Sequence, residues 1–244
     1  MTNVNFSKRK QKIIGILSKA VQGGQRALSE YESKQIVASA DVPVTRESLV
    51  QSREEAVNQA SRIGFPVVLK GSGPALTHKT EMDMVRVNLK NEQDVARAYD
   101  ELMDKGIHME GILVQEMVKG NREFVIGLTR DPQFGPCVMF GIGGIFTEAL
   151  KDVSFRVAPL TEEDAIEMIH EIKAVKLLDA FRGERAVDED VLVKALVGVG
   201  ELGMTHDEIA EIDINPLIVK EGNPVAVDAL VILETGRPRQ AVHS

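Results

Sequence analysis

Several stretches of this sequence place together residue types that could handle a phosphorylated ligand. Lys70 ends the apolar run 65–70 and is followed at once by Gly71-Ser72-Gly73-Pro74. An ammonium at a strand end can meet a phosphate while the amides of a glycine-rich turn supply further donors. His78 stands between Thr77 and Lys79 in a polar connection. Imidazole is an effective nucleophile towards phosphorus, and a neighbouring lysine helps hold the transferred charge. Spacing alone also leaves Lys70 and His78 readable as ordinary surface groups. The run Gln115-Glu116-Met117-Val118, then a turn at Lys119-Gly120, then Glu123, could offer backbone groups and an apolar wall to adenine and a carboxylate to ribose. Both glutamates are equally readable as solvent-facing strand residues.

The segment 211–217, Glu-Ile-Asp-Ile-Asn-Pro-Leu, is more telling. Alternation along a strand sends Ile212 and Ile214 to one face and Glu211, Asp213 and Asn215 to the other. Asp228 lies in the apolar run 225–233, where a carboxylate needs a partner. Read as the facing strand of a hairpin, it joins the other three in a set of oxygen ligands suited to Mg²⁺, completed by nucleotide and water.

The elements that must carry these residues alternate in type. Helices are expected over 6–20, 29–38, 52–63, 92–105, 161–178 and 190–202. The pairs Ser29/Glu32 and Ser52/Glu55 have the spacing of capping boxes. Strands are expected over 42–45, 65–70, 84–89, 112–116, 123–129 and 138–140, with a closing hairpin of 209–219 and 224–232 turning at Glu221-Gly222-Asn223. Gly141-Ile142-Gly143-Gly144 reads as a second glycine-rich loop. This is an α/β (α+β) pattern. The expected divisions are a helical extension 1–27, a first lobe 28–110, a second lobe 111–235 and a frayed tail 236–244.

Composition narrows the function classes. The chain has 244 residues, of which 43% are hydrophobic, with no Trp and 4% aromatics. Scarce aromatics and a formal charge of −8 argue against nucleic-acid binding, which rests on clustered cations and base stacking. Cys137 is the single cysteine, and the five histidines lack metal-site spacing, so zinc is not expected. No apolar run approaches the roughly 20 residues of a membrane span, so a soluble, cytoplasmic protein without a membrane partner is expected. No Walker A motif and no GxGxxG after a strand occur.

Taken together, PVVLK ending at Lys70, LTHKT around His78, ILVQEMV with NREFVIG, GIGGIFTEALKDVSFRVAPL, FRG at 181–183 and EIDINPL resemble one family. It is the ATP-grasp (β) subunit of ADP-forming acetyl-CoA and related acyl-CoA synthetases, and the match runs from about 28 to 233. The resemblance implies an ATP-grasp fold, two lobes with a nucleotide cleft between them. It implies the reversible reaction acyl-CoA + ADP + Pi = acid + CoA + ATP, carried out with a CoA-binding α subunit, two copies of each chain. His78 would receive the phosphoryl group and carry it to ADP. Lys70 would bind nucleotide phosphate, Gln115, Glu116, Met117 and Val118 would form the adenine hinge, and Glu123 would meet the ribose. Gly143, Gly144 and Arg156 would face the transferred phosphate. Asn215 and Asp228 would hold Mg²⁺, with Asp213 or Glu211 nearby.

Two departures stand out. Relatives often continue the His-Lys pair with an acidic residue and Gly-Gly-Val, where this chain has Thr80-Glu81-Met82-Asp83-Met84-Val85. Prolines that often follow FRG are replaced by Glu184-Arg185-Ala186-Val187. Two other readings are a stand-alone ATP-grasp carboxylate–amine ligase, which would not need His78, and a non-catalytic nucleotide-sensing module.

Overall fold

The computed structural model describes residues 2–74, 76, 79, 82–144, 152–180 and 183–234, with side chains described from residue 11 onward. His78, the 181–182 part of FRG and the 236–244 tail lie outside the described residues. Two antiparallel sheets, each backed by helices, make up the body. The first has the order β1 (Glu47–Val50), β4 (Gly111–Glu116), β2 (Val67–Ser72), β3 (Val85–Leu89). The second has the order β10 (Leu230–Leu233), β8 (Ile209–Lys220), β5 (Glu123–Asp131), β6 (Gly135–Ile142), β7 (Val153–Val157). The short β9 (Asn223–Ala226) pairs with the far end of β8.

On the first sheet pack α3 (Arg53–Ile63) and α4 (Glu92–Met103). Asn91 caps α4 by accepting from the Asp94 amide. Val95, Ala98, Tyr99 and Leu102 follow at the spacing of one helical stripe and are all buried. They meet Val67, Leu69, Ile112 and Val114 in one core. On the second sheet pack α5 (Glu162–Glu171) and α6 (Glu189–Thr205), around a stacked pair, Phe124 and Phe140, with ring centroids 5.5 Å apart. Each such buried ring contributes roughly 1.5–3 kcal/mol over exposure.

This division differs from the expected one. β4 hydrogen-bonds to β1 and β2, so a boundary at Gly111 cuts through the first sheet. The chain leaves that sheet after Glu116 and begins the second at Glu123. The N-terminal helices α1 (Thr2–Gln22) and α2 (Glu30–Ala38) go with the second lobe. Leu17, Leu28, Ile36 and Val37 share its core with Phe124 and Val199, and the Leu28 amide bonds to Val231 O. The first lobe is therefore inserted between α2 and β5. Its two ends lie side by side: the Glu116 amide donates to Arg46 O, and the Arg46 amide donates to the Glu116 carboxylate at 2.8 Å.

Several expected elements shift. Residues 42–45 form a single bridge, Val44 to Ala226, and the strand starts at Glu47 instead. β7 was not expected. The helix from Thr161 ends at Glu171, with one 3-10 turn at Val175–Leu177 in place of its last turns. The capping box at Ser29 is complete, whereas at Ser52 only half forms, because Glu55 bonds to the Gln51 amide.

Candidate active site

Between the lobes lies a pocket of about 160 Å³ lined by Glu30, Leu76, Lys79, Asp213, Asn215 and Asp228 together with Leu28 and 229–230. The alternation of β8 delivers Asp213 and Asn215 from below, with Ile212 and Ile214 buried beneath them. Asp228 is not on a strand. It sits in the break between β9 and β10, where the hairpin partner of β8 leaves the sheet, and its carboxylate accepts from the Ala229 amide. The expectation of a strand carboxylate is corrected here, and the loop explains how it tolerates an otherwise apolar run. Glu211 shares the face of Asp213 but does not line the pocket.

Desolvation by the surrounding wall, then the charges of Asp228 and Glu211, push the Asp213 carboxyl up to about 6. A cation bound here relieves that repulsion. Among the described residues no three His, Cys, Asp or Glu side chains form a self-sufficient ion cage. That donor set fits Mg²⁺, which keeps waters and phosphate oxygens as ligands.

The glycine-rich loop meets the same pocket from one side. The Gly144 amide donates to Asn215 Oδ1 at 3.3 Å, and the Gly143 amide to Glu123 O at 2.8 Å. Gly144 has φ +67°, and a Cβ there would collide with the Glu123 carboxylate. The positive φ at Gly144 favours glycine, and a Cβ on Gly143 would run into the Phe124 backbone. Glu123, Gly143, Gly144 and Asn215 are thus brought together.

The other side is a buried charge network. Glu30, at the first position of α2, receives Lys70 Nζ at 2.7 Å and Lys34 Nζ at 2.9 Å on Oε1. Lys79 Nζ lies 2.6 Å from Oε2, an ionic contact not aligned as a hydrogen bond. Lys79 also stands 3.4 Å from Asp228 Oδ1, and Lys70 donates to Val227 O at 3.0 Å. Lys34 continues to Glu47 at 2.7 Å, Thr45 at 3.1 Å and Gln115 Oε1 at 2.7 Å. Burial pushes the Glu30 carboxyl up, but Lys70, Lys34 and Lys79 outweigh it and hold the group far below the usual range. Burial works against the Lys70 ammonium, and Glu30 and Asp228 overcome it, raising its pKa.

Some expected site residues stand elsewhere. The Gln115 side chain is fully buried and turned to Lys34, so it offers nothing to an adenine edge. The amides of Glu116 and Met117 are taken by Arg46 O and Pro66 O, and the Glu116 carboxylate by Arg46 and Lys220. Val118 is buried beside them. Arg156 does not face the pocket. It pairs with Glu171 at 2.8 Å and Glu167 at 3.5 Å on α5, because the pleat of β7 turns it, like Ser154, to the helix-covered side. Lys70 is near the pocket but is spent on Glu30 and Val227, and Lys79 lines the space instead.

The residues missed in the sequence are Glu30, Lys34 and Glu47. A signal existed: Glu30, Ser33, Lys34 and Val37 recur at the spacing of one helical stripe, and all are buried. Polar groups on a buried stripe require partners.

Against known proteins, the profile of the ATP-grasp domain family matches residues 19–233. The β subunit of acetate–CoA ligase [ADP-forming] I from Pyrococcus furiosus is 44% identical, over 89% of this chain and 96% of that one. A single-chain acetate–CoA ligase [ADP-forming] I from Archaeoglobus fulgidus is 36% identical, over 95% of this chain but 34% of its own length. Among solved structures, the dinucleotide-forming acetyl-coenzyme A synthetase 1 of Candidatus Korarchaeum cryptofilum aligns with TM-score 0.82 and 47% identity. It covers 91% of this chain and all of that one. It holds coenzyme A and Mg-AMPPCP, with its phosphohistidine segment pointing towards the nucleotide-binding site.

Proposed function

Because the chain belongs to the ATP-grasp family, among the β subunits of ADP-forming acyl-CoA ligases, we propose that it passes a phosphoryl group between His78 and ADP in the pocket between its lobes. The observation that carries this reading is Lys79. The residue next to His78 in sequence reaches Glu30 and Asp228 at the acidic pocket. In one related structure the phosphohistidine segment points towards the nucleotide-binding site, which supports this reading.

The overall reaction is acyl-CoA + ADP + Pi = acid + CoA + ATP. A CoA-binding α subunit, two of each chain in the assembly, exchanges CoA for phosphate to give an acyl phosphate. The phosphoryl group then passes to a histidine of that subunit, releasing the acid, then to His78, and from His78 to the terminal oxygen of ADP. Phosphoryl transfer asks chiefly for alignment and charge neutralisation. The ammonium group of Lys79 offsets the phosphate charge, with Lys70 held behind it by Glu30, and the Gly143-Gly144 loop approaches from beside Glu123, which meets the ribose. Residues 116–118 flank adenine through their backbone. Asp228 and Asn215, with Asp213, would hold Mg²⁺, which when bound neutralises phosphate oxygens. No helix among the described residues is long and apolar enough to cross a membrane, and we place the enzyme in the cytoplasm.

The test is labelling with [γ-³²P]ATP in the presence of the α subunit. Acid-labile, base-stable label is expected on His78. A His78→Ala variant should still bind Mg-ADP but lose acid-stimulated ADP formation. Full activity in that variant would support a simple carboxylate–amine ligase instead.

A further inference from the structure

Glu30 is a buried carboxylate that gathers three lysines, and phosphoryl chemistry gives it no direct task. Its side chain is 1% exposed, yet it receives three ammonium groups from three different elements. Those contacts are not equivalent. Lys34, from α2 itself, is locked by Glu47, Thr45 and Gln115 besides Glu30. Lys70, from β2, is tied also to Val227 O. Among the described residues Lys79 meets Glu30 and Asp228, the first not aligned as a hydrogen bond and the second at 3.4 Å. If Lys79 leaves, Glu30 keeps Lys34 and Lys70 on Oε1, so its charge stays compensated, while the buried Oε2 loses its contact. Among the described residues, Lys79 is the least held of the three lysines, and its contact can break while the carboxylate keeps two ammonium partners.

Asp228 sharpens this asymmetry. It is a candidate cation ligand and also a partner of Lys79. A divalent cation and an ammonium compete for one carboxylate, so when Mg-nucleotide occupies Asp228, Glu30 is the anion that still holds Lys79 in the pocket.

Resting on the phosphohistidine reading above, we propose that Glu30 is a positioning residue for the nucleotide side of the reaction: its carboxylate docks Lys79, the residue that follows His78 in sequence, in the nucleotide pocket. Glu30 touches no reacting atom and acts through Lys79. It governs phosphoryl exchange between His78 and nucleotide, and it is not needed for exchange between His78 and the α subunit.

The experiment uses the assembled enzyme and compares two labelling rates of the β chain. One is from [γ-³²P]ATP with Mg²⁺; the other is from ³²P-phosphate with acyl-CoA, where CoA leaves first and the acid second. In Glu30→Gln the nucleotide-side rate should fall by at least about tenfold, the scale of a lost alignment, while the acyl-side rate stays within about threefold. Glu30→Asp should recover part of the loss. If Glu30→Gln folds poorly, Glu30→Asp serves in its place, since it keeps the negative charge for Lys34 and Lys70 but shortens the reach to Lys79; it should show a smaller loss confined to the nucleotide side. Equal losses on both sides, or an unchanged nucleotide-side rate in Glu30→Gln, overturn the proposal. A wild-type enzyme that takes no label on His78 from either donor overturns the phosphohistidine reading itself, and the proposal with it.

Discussion

Two carboxylates lining one pocket sit in opposite electrostatic states. Glu30 is buried and surrounded by Lys34, Lys70 and Lys79, which hold it ionised. Asp213 reaches water, yet its neighbours are Asp228 and Glu211, and it is pushed up to about 6. The first is a buried set in which three ammonium groups outnumber Glu30 and Glu47. The second is an open set carrying excess negative charge, which a cation completes. The pocket is thus built with one wall finished at folding and one wall finished by ligand.

The most severe way to break that contrast is to open the closed wall. Lys34→Met removes a fully buried partner of both Glu30 and Glu47. Breaking such a pair costs about 3–5 kcal/mol. For a chain of this size the melting temperature should drop by roughly 6–20 °C in a thermal denaturation scan. A drop under about 2 °C would mean that the set does not depend on Lys34. Next in size, Asp228→Asn takes a carboxylate from the open wall. Mg²⁺-dependent turnover should fall about 10–100-fold, measured by titrating Mg²⁺ at fixed nucleotide. The free protein should lose no stability, because the Asp213 repulsion is eased.

The finest distinction lies in pH. Asp213 has a folded-state pKa near 6, above its ordinary 3.8, so the folded chain binds its proton more tightly than the unfolded chain does. Its contribution to stability therefore declines as pH rises through that window. Exposure to water keeps the effect to about 1 kcal/mol. Mg²⁺ or Asp213→Asn should flatten the slope in denaturant titrations between those pH values. Glu30 has the opposite sign: its contribution is present above its ordinary 4.5 and is lost as pH falls below that.

Much of this was legible in the residues. The alternation of 211–215 put Asp213 and Asn215 on one face, and strand geometry preserves such a pattern wherever the strand packs. The glycine pair at 143–144 could be found because close backbone approach admits nothing else. Long-range contacts were not legible. Nothing local tells that Gln115 turns inward to a lysine 81 residues away, or that Arg156 finds two glutamates on the following helix. The lobe boundary failed for the same reason. Strand runs look alike in either sheet, and only pairing of β4 with β1 assigns it. The inward stripe of α2 was visible but overlooked, since Ser29 and Glu32 gave the same turn an adequate capping explanation.

The side-by-side contact of Arg46 and Glu116 has a mechanical meaning. The polypeptide enters and leaves the smaller lobe through one doorway, stitched across by one backbone bond and one from the Arg46 amide to the Glu116 carboxylate. A tilt of that unit about the doorway has to break the buried contacts that Lys34 and Lys70 make across the lobes. The same doorway makes residues 46–116 a natural cassette. Its two ends already meet, so an equivalent lobe from a relative could be grafted there without stretching either junction.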